Sequence, residues 1–192
     1  MATSPADAKV FISYRRDDTG HAAARLYDAV AARLGEDQVF MDLDTIALGD
    51  DFVEDIDQAL GECAVMLALI GPRWLSITNP DGSRRLDDPD DYVRREIQTA
   101  LERNIPVIPV LVDTDMPPRR SLPEPLAPMR RRNAHSIRLP TFRADTAHLA
   151  DELNRRLSTM AIGGSSTPDL PGPPKGGYSQ VFRGGSRVAP AC

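Results

Sequence analysis

Two hydrophobic rhythms alternate along this chain. Short β-rich or continuously apolar runs give way to stretches whose apolar residues recur every three or four positions. "KVFISY" (9–14) predicts a first strand. Ala23, Leu26, Tyr27, Val30 and Leu34 follow at helical spacing, and Gly35 is placed to end that helix. "QVFMD" (38–42) predicts a second strand and "LDTIALGD" (43–50) a connecting loop. A second helix is expected from about Asp50 or Asp51, with Phe52, Val53, Ile56, Ala59 and Leu60 on its buried stripe and Gly61 at its end. "CAVMLALIG" (63–71) is apolar throughout, as a strand covered on both faces must be.

A polar stretch then leads to Asp88-Pro89, which reads as an N-cap with proline at the first helical position. The helix it opens carries Val93, Ile97, Ala100 and Leu101 on one stripe and ends near Asn104. Glu96 falls at the border of that stripe, and Tyr92 sits one turn back along the same border. "IPVIPVLVD" (105–113) predicts a fourth strand, and its two prolines place it near an edge or at a bulge. Residues 114–134 form a Pro- and Arg-rich connection with a helical turn near Leu126. "HSIRL" (135–139) predicts a fifth strand, and a last helix spans Thr146 to Ser158 on Leu149, Leu153 and Leu157.

Repeated strand–helix–strand units imply right-handed crossovers and a parallel sheet. Five strands and about five helices make an α/β, flavodoxin-like three-layer domain. Residues 161–192 are dense in Gly, Pro and Ser, which predicts a flexible, disordered tail.

Composition narrows the chemistry. The net charge of −5 and the short arginine runs speak against a nucleic-acid partner. Cys63 reads as a small buried hydrophobe and Cys192 is the last residue, so neither suggests a disulfide framework. His21, His135 and His148 are scattered, and no metal site is expected. The N-terminal residues lack an apolar signal core, and the longest apolar run is far too short to span a bilayer. These features predict a soluble, cytoplasmic protein with no membrane partner.

On an open parallel sheet, ligands bind beyond the C-terminal strand ends at the switch in strand order. Ser13, Tyr14, Arg15 and Arg16 follow the first strand, the 43–50 loop the second, and Gly71 to Trp74 the third. There is neither a Gly-x-Gly-x-x-Gly fingerprint after the first strand nor a Gly-x-x-x-x-Gly-Lys loop, which removes ordinary dehydrogenase and P-loop readings. A phosphoreceiver would want an aspartate where Ile70-Gly71 stands and a lysine after the fifth strand, where there is none. From the helix alone, Glu96 either faces a pocket or pairs with an arginine at the surface. Trp74 either lines that pocket or anchors its loop, and Tyr92 either faces substrate or caps the core. Asp42 and Asp44 are equally compatible with turn-capping roles.

Taken in order, "VFISYRR", "VFMDLDTIALGDDF", "VMLALIGPRWL", "DDYVRREIQTAL" and "IPVIPVLV" resemble bacterial TIR (Toll/interleukin-1 receptor) domains over about residues 8–158. The resemblance implies an NAD⁺ nucleosidase, a glycohydrolase or an ADP-ribosyl cyclase, with NAD⁺ as substrate and no cofactor. It implies Glu96 as the catalytic carboxylate, four residues after an aromatic that is usually tryptophan and is Tyr92 here. Tyr14, Arg15, Arg16, Trp74 and Tyr92 become the candidate substrate-binding residues, the arginines suiting a pyrophosphate. The resemblance also implies self-association with other TIR domains through loop 43–50, here Asp44, Thr45, Ile46, Leu48 and Gly49, in immune signalling, antiviral defence or NAD⁺ depletion. The rival is a non-enzymatic adaptor that uses the same loop to bind another TIR domain. A nucleoside-processing transferase would need an acceptor site that the sequence does not offer.

Overall fold

Both faces of the central sheet are buried, and the alternation within single strands accounts for it. In the computed structural model, which describes residues 9–41, 60–61 and 63–163, β1 is Lys9–Ser13, β2 Val39–Met41, β3 Cys63–Ile70, β4 Val107–Val112 and β5 His135–Ile137. Val10 and Ile12 of β1, with Val65, Leu67 and Leu69 of β3, enter one core cluster. Phe11, Met66, Ala68 and Ile70, the residues between them, enter the other. Period-two strands sealed on both sides are what the continuous apolar run at 63–71 predicts.

The sheet is parallel throughout, in the order β2-β1-β3-β4-β5. Helices α1 (Arg16–Leu34) and α3 (Phe142–Gly163) pack together on one face. Helix α2 (Tyr92–Glu102) and the segment before β5 cover the other. Three layers with a five-stranded parallel sheet match the expected fold class. The order reverses between β1 and β3, so the crevice beyond their C-terminal ends is the place for a ligand.

The helix stops follow the expected chemistry. Gly35 ends α1 at φ 108°, its N–H donating to the Ala31 carbonyl at 2.8 Å. Asn104 ends α2 with φ 59°, while Ile105 N–H donates to Ala100 and Asn104 N–H to Leu101. That pair of bonds is a Schellman motif, and the buried Ile105 supplies its apolar contact.

Several expectations change. The cap of α2 is Asp91, not Asp88 before Pro89. The Asp91 carboxylate accepts from Arg94 N–H, whereas Asp88 closes a turn by accepting from Asp90 N–H and from Asn79. β4 lies near an edge, between β3 and the edge strand β5, and its register is regular on both sides, without a bulge. Met66 N–H donates to the Pro106 carbonyl, so alternation turns the Pro109 nitrogen toward β5. Pairing with β5 starts only at Val110, and the missing donor therefore costs no ladder bond. Between β4 and β5 the expected helical turn near Leu126 is present as 3₁₀ structure, in the segments Arg119–Ser121 and Glu124–Arg131. Pro123, Pro125 and Pro128 remove the donors that an α-helix needs there.

Helix α3 starts at Phe142, four residues before the expected Thr146. Asp145 in its first turn accepts from Arg138 N–H and the Thr141 hydroxyl, which hold its carboxyl below the usual range. A carboxyl lowered on folding stabilises above its unfolded pKa, and that contribution is lost as pH falls through the lowered value. Burial pushes the Cys63 thiol up to about 11, in keeping with a packing role. The 43–50 loop, most of the second predicted helix and the predicted disordered tail lie outside the described residues, apart from helical Leu60-Gly61 and the end of α3 through Gly163. Among the described residues, no helix is long and apolar enough to cross a membrane.

Candidate functional site

Ser13 and Arg15 lie two residues apart at the end of β1, so an extended backbone sends both side chains the same way. Both reach α2. The Ser13 hydroxyl donates to Glu96 Oε2 at 2.7 Å. The Arg15 guanidinium makes two parallel bonds to the Asp91 carboxylate, each 2.8 Å. Two rungs, five residues apart on the helix, thus tie the start of α2 to the switch point of the sheet.

Glu96 is 8% exposed. Val93, Ile97 and Ala100 hold its helix to the sheet, and position 96 falls at the margin of that packed face. Burial at a stripe border, next to the strand ends, makes this carboxylate a concentrated source of field. Tyr92, one turn earlier, is 51% exposed and presents its ring at the helix start.

The other candidates spread around this rim. Trp74, in the turn after β3, is 1% exposed and packs in the cluster of Phe11, Met66, Ile70 and Leu86. The Arg15 guanidinium lies 5.9 Å from the centre of its ring. Tyr14 is half-buried against the opposite core cluster, and Arg16 is exposed as the first residue of α1. Arg15 is 4% exposed. Asp42 and the assembly-loop residues Asp44, Thr45, Ile46, Leu48 and Gly49 lie outside the described residues.

Two residues that the sequence did not single out shape the rim. Asp91 caps α2 and pairs with Arg15, and the half-buried Arg85 approaches the same carboxylate at 3.9 Å. Its position just before the first residue of the amphipathic helix was the available signal. Asp18, in the first turn of α1, accepts from Arg73 N–H at 2.9 Å and so braces the turn after β3. That brace depends on Gly71. A Cβ there would stand 2.5 Å from Asp18 Oδ2 and 2.6 Å from Thr19 Cγ2, and Thr19 is buried. Gly71→Ala is therefore expected to lower stability by about 1–3 kcal/mol, the cost of forcing atoms into a filled site. Denaturant unfolding checks this, and an unchanged midpoint would contradict the brace.

A polar cavity of about 380 Å³ opens beside this brace, lined by Asp17, Arg73, Ser76, Ile77 and Thr78. Glu96 is not among its lining residues. Among the described residues, no group of three or more His, Cys, Asp or Glu side chains is arranged to hold a metal.

A family model described as the TIR domain matches residues 10–156. No curated protein matches the chain. Among solved structures, the chain is similar to the TIR domains of the activated Roq1 resistosome directly recognizing the pathogen effector XopQ. The identity is 18% over 83% of this chain and 85% of that one, with a TM-score of 0.44.

Proposed function

Because this chain belongs to the TIR-domain family, which its match over residues 10–156 shows, we propose that it cleaves the nicotinamide–ribose bond of NAD⁺. The observation that carries this reading is Glu96. It is a buried carboxylate, held by Ser13, on the helix that starts at the sheet's switch point.

The chemistry needs one such group. When the C1′–N bond breaks, its electron pair returns to the pyridine ring and nicotinamide leaves neutral, so no general acid is required. The ribose is left as an oxocarbenium-like centre, as in glycoside hydrolysis. Glu96 accepts hydrogen bonds from the ribose hydroxyls and stabilises that positive charge. Water then adds at C1′ and loses a proton to solvent, giving ADP-ribose. Alternatively, an atom of the adenine closes the ring and gives a cyclic product. Tyr92 offers a flat exposed face to the substrate, and Arg16 a guanidinium to the pyrophosphate. Incubation of the concentrated protein with NAD⁺, followed by chromatography, tests the reading. Nicotinamide release supports it, and the adenine-containing product distinguishes hydrolase from cyclase. Intact NAD⁺ after prolonged incubation of assembled protein would favour the adaptor reading.

Self-association through loop 43–50 belongs to the same proposal, and the charge distribution supports it. Residues 36–62 carry ten carboxylates and no Lys, Arg or His. Residues 117–143 carry seven arginines, all exposed, against one glutamate. In sequence the first stretch contains β2 and runs on to β3, and the second surrounds β5. Two segments of opposite charge on one chain favour head-to-tail contact between copies. The assembled mass and the specific activity are both expected to fall when salt rises from about 0.05 M to about 0.5 M, and again in Gly49→Pro at low salt. Sedimentation alongside the activity assay checks this. Full activity from a strict monomer would contradict it.

A further inference from the structure

We propose that Asp91 and Arg15 form a clamp that sets the direction of Glu96, and that Arg15 is a positioning residue rather than a ligand for substrate phosphate. The catalytic half of this inference rests on the NAD⁺-cleaving function proposed for Glu96; the contact itself does not.

Three segments meet at the Arg15 side chain: the end of β1, the turn after β3 through Trp74, and the N-terminus of α2 through Asp91. Both terminal nitrogens of the guanidinium are committed to Asp91, and the side chains of the two partners are each 4% exposed. The remaining Nε is buried without a hydrogen-bond partner among the described residues. An arginine used in this way has no exposed fork to offer a pyrophosphate.

The geometry is also more demanding than a cap requires. Asp91 Oδ1 accepts from Arg94 N–H at 2.9 Å, and that bond is all an N-cap side chain ordinarily supplies. The parallel pair to Arg15 adds a direction, because a planar fork accepts a carboxylate in one orientation. A buried ion pair is weak evidence for stability, since desolvation offsets much of the attraction. Its consequence here is orientation. Asp91 precedes Glu96 by five residues on a rigid helix, so fixing position 91 against β1 fixes the azimuth of position 96. The Ser13 bond to Glu96 is the second rung of that constraint.

Arg85 lies 3.9 Å from Asp91 and 3.7 Å from Asp17, while Asp91, Arg15 and Trp74 form the buried centre. Trp74 is the chain's single tryptophan, so its fluorescence reports directly on the guanidinium beside its ring.

The test uses Asp91→Asn, which keeps a good helix cap and removes the charge. The double variant Arg15→Gln/Asp91→Asn replaces the ion pair with two neutral amides and leaves no buried charge unpaired. Both variants are expected to change Trp74 emission in the folded protein. Both are expected to lower kcat for nicotinamide release at least about 10-fold with KM within about 2-fold, as misplacement of a transition-state group does. Unchanged Trp74 emission in both would overturn the clamp. Altered emission with unchanged kcat would overturn the positioning role, leaving a purely structural contact. If the parent protein releases no nicotinamide, the enzymatic reading fails and the positioning role with it, while emission still decides whether the clamp exists.

Discussion

Glu96→Gln is expected to slow nicotinamide release from NAD⁺ by at least about 10²-fold, the lower range for losing a positioned catalytic group. Glutamine is the informative replacement because it preserves what surrounds the site. Ser13 is 1% exposed and donates to Glu96 Oε2. An amide oxygen still accepts that bond, whereas Glu96→Ala removes the acceptor and costs about 1–3 kcal/mol for the stranded hydroxyl. The glutamine form should therefore unfold close to the parent midpoint while losing the negative charge that the proposed mechanism sets against the oxocarbenium centre. Rates from product chromatography and midpoints from denaturant unfolding need to be read together. Turnover within a few-fold of the parent, at unchanged stability, would contradict the assignment of Glu96.

Trp74→Ala is expected to produce the largest loss of stability, about 3–5 kcal/mol, as for other fully buried tryptophans. The ring is 1% exposed and packs on Phe11, Met66, Ile70 and Leu86, with Arg15 over it at 5.9 Å. Truncation opens a cavity beneath the turn that Asp18 braces, and lets Arg15 relax. Tyr92→Ala makes the contrast. At 51% exposure that ring contributes little to the core, so stability should stay within about 0.5 kcal/mol. If Tyr92 meets the substrate, its removal raises KM instead. Equal losses of stability in the two variants would contradict the division between an anchoring Trp74 and a substrate-facing Tyr92.

The sequence carried most of the fold because its strands and helices are patterned by different periods. The strand at 63–70 and the α1 stripe through Leu26 and Val30 needed no distant partner to be recognised. Gly35 and the stop near Asn104 carried their own local chemistry. Errors arose where a local rule met a tertiary one. Asp-Pro is a good helix opening, yet the cap is Asp91, whose carboxylate accepts from Arg94 N–H and also meets Arg15, 76 residues away in sequence. The prolines of β4 suggested a place near an edge or a bulge; β4 lies beside the edge strand, and it needs no bulge because Pro109 precedes Val110, where β5 pairing begins.

The site was readable in outline. The helical wheel placed Glu96 at the border of a buried face, and the structure finds it 8% exposed there. Its partner Ser13 lies 83 residues away, and no spacing within α2 reveals that contact. Nor does any spacing show that Arg15 is buried against Asp91 while Arg16, its neighbour, is exposed. These pairings depend on which strand ends the fold brings together.

The most direct measurement is the crystal structure of the Glu96→Gln protein with NAD⁺, since this variant should hold the substrate without cleaving it. The nicotinamide ribose is expected beyond the ends of β1 and β3, with its hydroxyls in hydrogen-bond reach of residue 96. NAD⁺ bound intact elsewhere on the domain, with residue 96 still facing only protein, would contradict the account.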